Sequence, residues 1–147
     1  MTSKYTLTKG SRLEVTKDAS NTTVPEGATW LELGCLLTEV SYTGGAKSDI
    51  EVTTLCSTEK EQTNGLPDPG EITLSGNWVP NDDALNVLRD AYTNDTAHAF
   101  RLVLQDKRGY AFVGEVRQES FTVSTDAVLT GEFTIRMKGR LENYQEK

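Results

Sequence analysis

One segment of this chain limits what the rest can become. Between Pro80 and Tyr92 the apolar residues Ala84, Leu85, Val87, Leu88, Ala91 and Tyr92 repeat at helical spacing, leaving Asn86, Arg89 and Asp90 outside. No other stretch carries that period. Just before it, Ile72, Leu74, Gly76 and Trp78 fall on one side of a period-two pattern, and Thr73, Ser75 and Asn77 on the other. That is the mark of a half-buried strand. Pro80 has no N–H to give a ladder and ends the strand. Asn81 or Asp82 can then cap a helix over about 82–92, and an acid in the first turn suits the helix dipole.

The rest of the chain reads as strand, turn or loop. Leu13 and Val15 alternate within 12–16, and Trp30 to Tyr42 forms one long strand or two broken near Gly34. Gly44-Gly45 is a candidate hairpin loop leading to a strand over 50–56. Residues 57–70 are charged and hold two Pro and two Gly, a long loop that needs a reason inside a compact domain. After the helix, Phe100, Leu102 and Leu104 alternate in one strand, Tyr110 to Phe121 makes another, and Gly114 marks a bulge or a close approach. The cleanest pattern is the last: Leu129, Gly131, Phe133, Ile135 and Met137 against Thr130, Glu132, Thr134, Arg136 and Lys138. Residues 1–11 and 139–147 are polar and read as terminal arms.

These elements predict a mainly β fold, a β-sandwich or barrel with one flanking helix, in a single domain over 1–147. The predicted core takes Ile72, Leu74 and Trp78 from the strand before the helix and Leu85 and Leu88 from the helix itself. Phe100, Leu102 and Phe112 come from the middle strands, and Phe133 and Ile135 from the last.

Composition excludes several functions. With 22 acidic residues against 15 Lys and Arg, the net charge is −7, and a grip on nucleic-acid phosphates needs the opposite balance. No apolar run approaches the ~20 residues that span a bilayer, and the N-terminus shows no apolar signal core. Cys35 and Cys56 read as reduced, small apolar residues. No cofactor is expected. Two Cys and one His do not make a zinc site, Asn81-Asp82-Asp83 lacks the spacing of a calcium loop, and Gly109 to Gly114 has no Lys or helix behind it to hold a phosphate. His98, the only histidine, has no patterned nucleophile near it, so nothing positive supports an enzyme.

The ordered set Gly70-Glu71-Ile72-Thr73-Leu74-Ser75-Gly76-Asn77-Trp78, the helix with Leu85, Leu88 and Ala91, His98-Ala99-Phe100-Arg101-Leu102, Phe112-Val113-Gly114-Glu115-Val116 and Thr134 to Arg140 resembles the major tail tube proteins of long, non-contractile-tailed bacteriophages, the lambda type. The resemblance covers roughly 70–140. It implies a β-sandwich or barrel whose hexameric rings stack into a hollow tube for the genome, with no catalytic residues. A C-terminal immunoglobulin-like domain occurs in such proteins, and a chain ending just past Gly139 reads as a core-only version. The implied partners are further copies of the chain, a tape measure protein, a tail terminator, baseplate or distal tail proteins, and passing DNA that is not held. The implied location is the virion tail, assembled in the host cytoplasm, without a membrane anchor. A type VI secretion-like tube protein and a stand-alone β-sandwich binding module are the alternative classes.

Two sets of residues gain expected roles from that resemblance. The 57–70 loop, through Glu59, Lys60, Glu61, Leu66 and Asp68, is expected to bridge subunits or rings, since its composition opposes folding alone. Glu32, Glu39, Glu51, Glu115 and Glu132 fall on polar strand faces and are expected to line the channel. Carboxylates there repel phosphate over about 10 Å at 0.1 M salt. Arg136 and Lys138 share the strand face of Glu132, so that face also has groups for pairing.

Overall fold

The computed structural model describes residues 10–23, 25–34, 36–67 and 70–145. In chain order these form β1 (Arg12–Thr16), β2 (Trp30–Glu32), β3 (Leu37–Thr43), β4 (Lys47–Glu51), β5 (Gln62–Pro67), β6 (Glu71–Asn77), α1 (Asp83–Asn94), β7 (Ala97–Val103), β8 (Arg108–Thr122), β9 (Thr130–Met137) and β10 (Glu142–Gln145).

Eight of the strands make one antiparallel sheet in the order β2-β1-β7-β8-β9-β6-β3, with β10 also on β8. The two ends of that order, β2 and β3, are consecutive in the chain and joined by residues 33–36 only. That short link draws the edges together. The Leu33 N–H donates to the Leu13 carbonyl at 2.7 Å, and the Asn77 N–H donates to the Leu36 carbonyl at 2.8 Å. The sheet therefore curls into a barrel, the second of the two forms expected, and its twist supplies the curvature.

The helix forms as its sequence dictates. Asp82 is the N-cap, its carboxylate accepting from the Leu85 N–H at 3.2 Å, and Asp83 adds an acid to the first turn. Asp95 ends it in the left-handed region at φ 55°, with its N–H bonded to the Ala91 carbonyl. The buried stripe Ala84, Leu85, Leu88 and Ala91 packs mainly against β8. Val87 is half-buried and Tyr92 exposed, so the inner face is narrower than the expected one.

Sheet and helix share one core. Ile72, Leu74, Trp78, Leu85, Leu88, Phe100, Phe112, Phe133 and Ile135 are all in it. Phe100 and Phe112 stack at 5.1 Å across β7 and β8. Trp78 lies 5.3 Å from Phe133 and 5.0 Å from Phe121, and Gly131 leaves the room for its ring. Leu102 departs from expectation. It keeps the inward phase of Phe100 but is only half-buried, because it lines a recess where the barrel cover stops.

Three other expectations change, and Gly114 takes one of its two expected forms. Residues 57–70 are not all loop, since β5 pairs with β4 over Asp49–Glu51 and Gln62–Asn64. Backbone groups make that ladder and need no apolar side chains. Gly44-Gly45 does not join a hairpin, because β3 pairs with β6. The C-terminal stretch 139–147 is not simply an arm: β10 lies on β8 from Ala111 to Arg108, continuing the line of β9. Gly114 is a close-approach point, where a Cβ would sit 2.6 Å from Ile135 Cγ2, and the bulge itself falls between Val116 and Gln118. Of the N-terminal arm, residues 1–9 lie outside the described residues.

Candidate functional site

Within the described residues, two surfaces stand out. The first is the outward face of β3, β6, β9 and β8. Because side chains alternate across a strand, the residues opposite the core fall into cross-strand rows. One row is Ser41, Thr73, Thr134 and Gln118; the next is Glu39, Ser75, Glu132 and Ser120. A third is Thr43, Glu71, Arg136 and Glu115. This polar face is continuous over four strands.

Its charge is largely settled internally. Arg117 pairs with Glu71, and Lys138 Nζ lies 2.7 Å from Glu115 Oε1. Arg136 stands in register between Glu71 and Glu115. With Glu39 and Glu132 added, four carboxylates face three cations, so the surface is weakly acidic and rich in hydroxyl groups. Of the five expected channel residues, Glu39, Glu115 and Glu132 are brought together here. Glu32 is on β2, opposite Glu14 at the other end of the sheet order, and Glu51 is on β4, in a separate two-stranded sheet. The alternation of β9 showed Arg136 and Lys138 in advance; the ion pair from Arg117 depends on the bulge and had no sequence signal.

The second surface is the β4–β5 hairpin. Every residue of these strands except Gly65 is exposed, and the strands pack substantially only on each other. Ile50 and Val52 are 49% and 43% exposed, and Leu66 and Leu55 are more exposed still. A lone two-stranded hairpin is marginal in water. Its turn is nevertheless ordered: the Glu61 N–H donates to Thr53 Oγ1 at 2.8 Å, and the Ser57 hydroxyl donates to Glu61 Oε2 at 2.8 Å. Glu59, Lys60 and Glu61 lie exposed near the hairpin end and Leu66 on β5; Asp68 lies outside the described residues. The apolar residues Ile50, Val52 and Leu55 were missed as contact candidates, although Ile50 and Val52 alternate in sequence.

A third cluster is structural. Arg101 on β7 stacks 4.2 Å from the Trp30 ring, donates through Nη2 to Glu14 Oε2 at 2.9 Å and through Nη1 to the Tyr144 hydroxyl at 3.2 Å. Burial works against its charge, but the hydrogen bond and attraction of Glu14 outweigh it and hold the guanidinium above the ordinary arginine value. The cluster ties β10 to the barrel. His98 is a satisfied buried residue: Nδ1 lies 3.0 Å from the Thr16 carbonyl and Nε2 3.1 Å from the Thr96 hydroxyl. No group of three or more metal-ligating side chains occurs among the described residues.

Known proteins resemble this chain in sequence pattern and in fold. A family model described as phage tail tube, TTP, lambda-like matches residues 4–109. Among solved structures, the SPP1 tail tube is similar with a TM-score of 0.70 at 9% identity, over 97% of this chain and 80% of that one. The tail of an empty gene transfer agent particle, refined helically with C6 symmetry, has a TM-score of 0.66 at 14% identity, over 90% of this chain and 95% of that one. The anti-feeding prophage baseplate, 6-fold symmetrised, gives 0.69 at 7% identity, over 98% of both chains. Comparison with curated protein sequences gives no match.

Proposed function

The chain belongs to the lambda-like phage tail tube family, and from that premise we propose that it forms six-membered rings whose polar β3-β6-β9-β8 face lines the channel. It is a structural subunit of a phage tail tube and part of the virion tail. The observation that carries the reading is the continuous polar face. Any water-facing sheet is polar, but on this one Arg117 and Lys138 are held by Glu71 and Glu115, which suits a wall around water and DNA. Phosphates find no unpaired row of Lys or Arg to hold them, so the genome slides.

The detached hairpin is the second half of the reading. It bridges copies of the chain, with Glu59, Lys60, Glu61, Leu66 and Asp68 at or near the contact. Residues 1–147 act as one tail-tube domain. A tape measure protein inside the growing tube, a terminator at one end and baseplate proteins at the other complete the partner set, with assembly in the host cytoplasm. The likeness to a contractile injection system tube, with a TM-score of 0.63, shows that the fold alone does not separate the two machines; the family match favours the non-contractile tail.

Electron microscopy of the purified, concentrated protein tests the assignment. Hollow tubes with sixfold symmetry are expected. A chain that remains monomeric at high concentration, or tubes whose channel wall is formed by another face, would overturn it.

A further inference from the structure

Resting on the tube reading above, we infer that the apolar stripe of the β4–β5 hairpin seats in a recess of another copy of this chain, between β3 and the β1–β7 pair. The occupant is defined by alternation. Ile50 and Val52 share one side of the hairpin, while Asp49 and Glu51 take the other. On that side they stand opposite Thr63 and Glu61, so it is the less polar of the two sides, and it is the one whose aliphatic groups gain from a third layer.

The receiving surface is a hollow of about 380 Å³ whose apolar wall includes Leu13, Leu37, Val40, Leu102 and Leu104. Four of these five remain half-buried, although Leu102 continues the core phase of Phe100. Among the described residues the core is thus incomplete at this point, and branched aliphatic side chains fit what is missing. The subunit's own hairpin does not fill it.

Placement then decides what kind of contact results. The recess adjoins Leu37 to Val40 in the first half of β3, whereas the hairpin leaves the barrel past Thr43 at its end, roughly 10–20 Å further along the strand. Donor and acceptor are different surfaces at opposite ends of one element. Such a heterologous contact repeats from copy to copy and extends a polymer. The rival receiver is the tip of the β8–β9 hairpin, with Phe121, Val123 and Val128 exposed. The hollow beside that tip is smaller, about 260 Å³, and apart from Phe121 and two glycines it is lined by hydroxyl groups and Glu132, a poor seat for aliphatic side chains; Phe121 is already against Trp78.

Cryo-electron microscopy of tubes assembled from the unmodified full chain tests this. Ile50 and Val52 are expected within about 4.5 Å of Leu37, Val40, Leu102 or Leu104 of another copy. A hairpin seated elsewhere on another copy, the Phe121 tip included, overturns the recess and leaves the bridging role intact. A hairpin lying on its own barrel or free in solvent overturns both, as does a chain that makes no tubes. Ile50→Asp gives an independent reading: tube yield should fall at least tenfold with the melting temperature of the monomer unchanged. Normal yield from that variant overturns the proposal.

Discussion

Trp78 is the residue on which the barrel's packing turns. It stacks on Phe133, tilts against Phe121 and carries the Arg89 guanidinium 5.8 Å from its ring centre. Its N–H donates to the Leu129 carbonyl at 2.9 Å, so backbone and ring both tie the end of β6 to the start of β9. Trp78→Ala should cost about 3–5 kcal/mol, read as a lower urea midpoint. An unchanged midpoint would show that the ring is not packed. Opposite it, a Cβ on Gly131 would lie 2.3 Å from Trp78 Cε3 and 2.8 Å from the Ser120 carbonyl. Gly131→Ala should therefore destabilise by about 1–3 kcal/mol through overpacking. Combining the two substitutions separates the clashes: once the indole is gone, the second change should cost less than it does alone. Strict additivity would mean that the carbonyl, and not the ring, sets the cost.

The elements divide by what holds them. Helix α1 was legible from sequence because burial of Ala84, Leu85, Leu88 and Ala91 sets its period and Asp82 marks its start. The face of β6 was legible for the same reason, and so was that of β9. Strands β5 and β10 were not. Their ladders use backbone groups that every residue carries, and most of their side chains meet water, so no alternation records them. Partner choice was hidden too: nothing in the spacing around Gly44-Gly45 says that β3 must leave β4 and pair with β6. Alternation placed Leu102 inward but carried no information on where the cover ends. The hairpin's independence leads to a prediction. Replacing residues 46–67 by a short turn should leave the melting temperature of the monomer within about 2–4 °C, the size of shift that under 1 kcal/mol gives at this length, and should abolish tubes in negative stain. A large fall in melting temperature would show that the hairpin supports the barrel; normal tubes would show that it bridges nothing.

At the scale of the assembled molecule, the polar face can be tested by reversing its sign. Glu39→Lys with Glu132→Lys changes two exposed residues in one cross-strand row and touches no core position. Tubes of this variant should retain DNA at low salt and release it as salt rises, because each phosphate contact adds to the salt slope. Tubes that ignore DNA at every salt concentration would mean that this face looks outward. Sequence patterning identified three acids of the face but not its neutralisation, which depends on register and on the bulge beside Arg117. The strand order has a further consequence, for the making of the subunit. Leu13 pairs with Leu102 and Val15 with Phe100, whereas β8 and β9 are separated by one short connection. Closing a longer loop costs more entropy, and distant ladders form late. β1 leaves the ribosome early and has only the three-residue β2 to pair with until residues 97–103 follow. The strand most open to mispairing is therefore among the first to be made, and its junction with β7 is the last seam to close and the first to breathe.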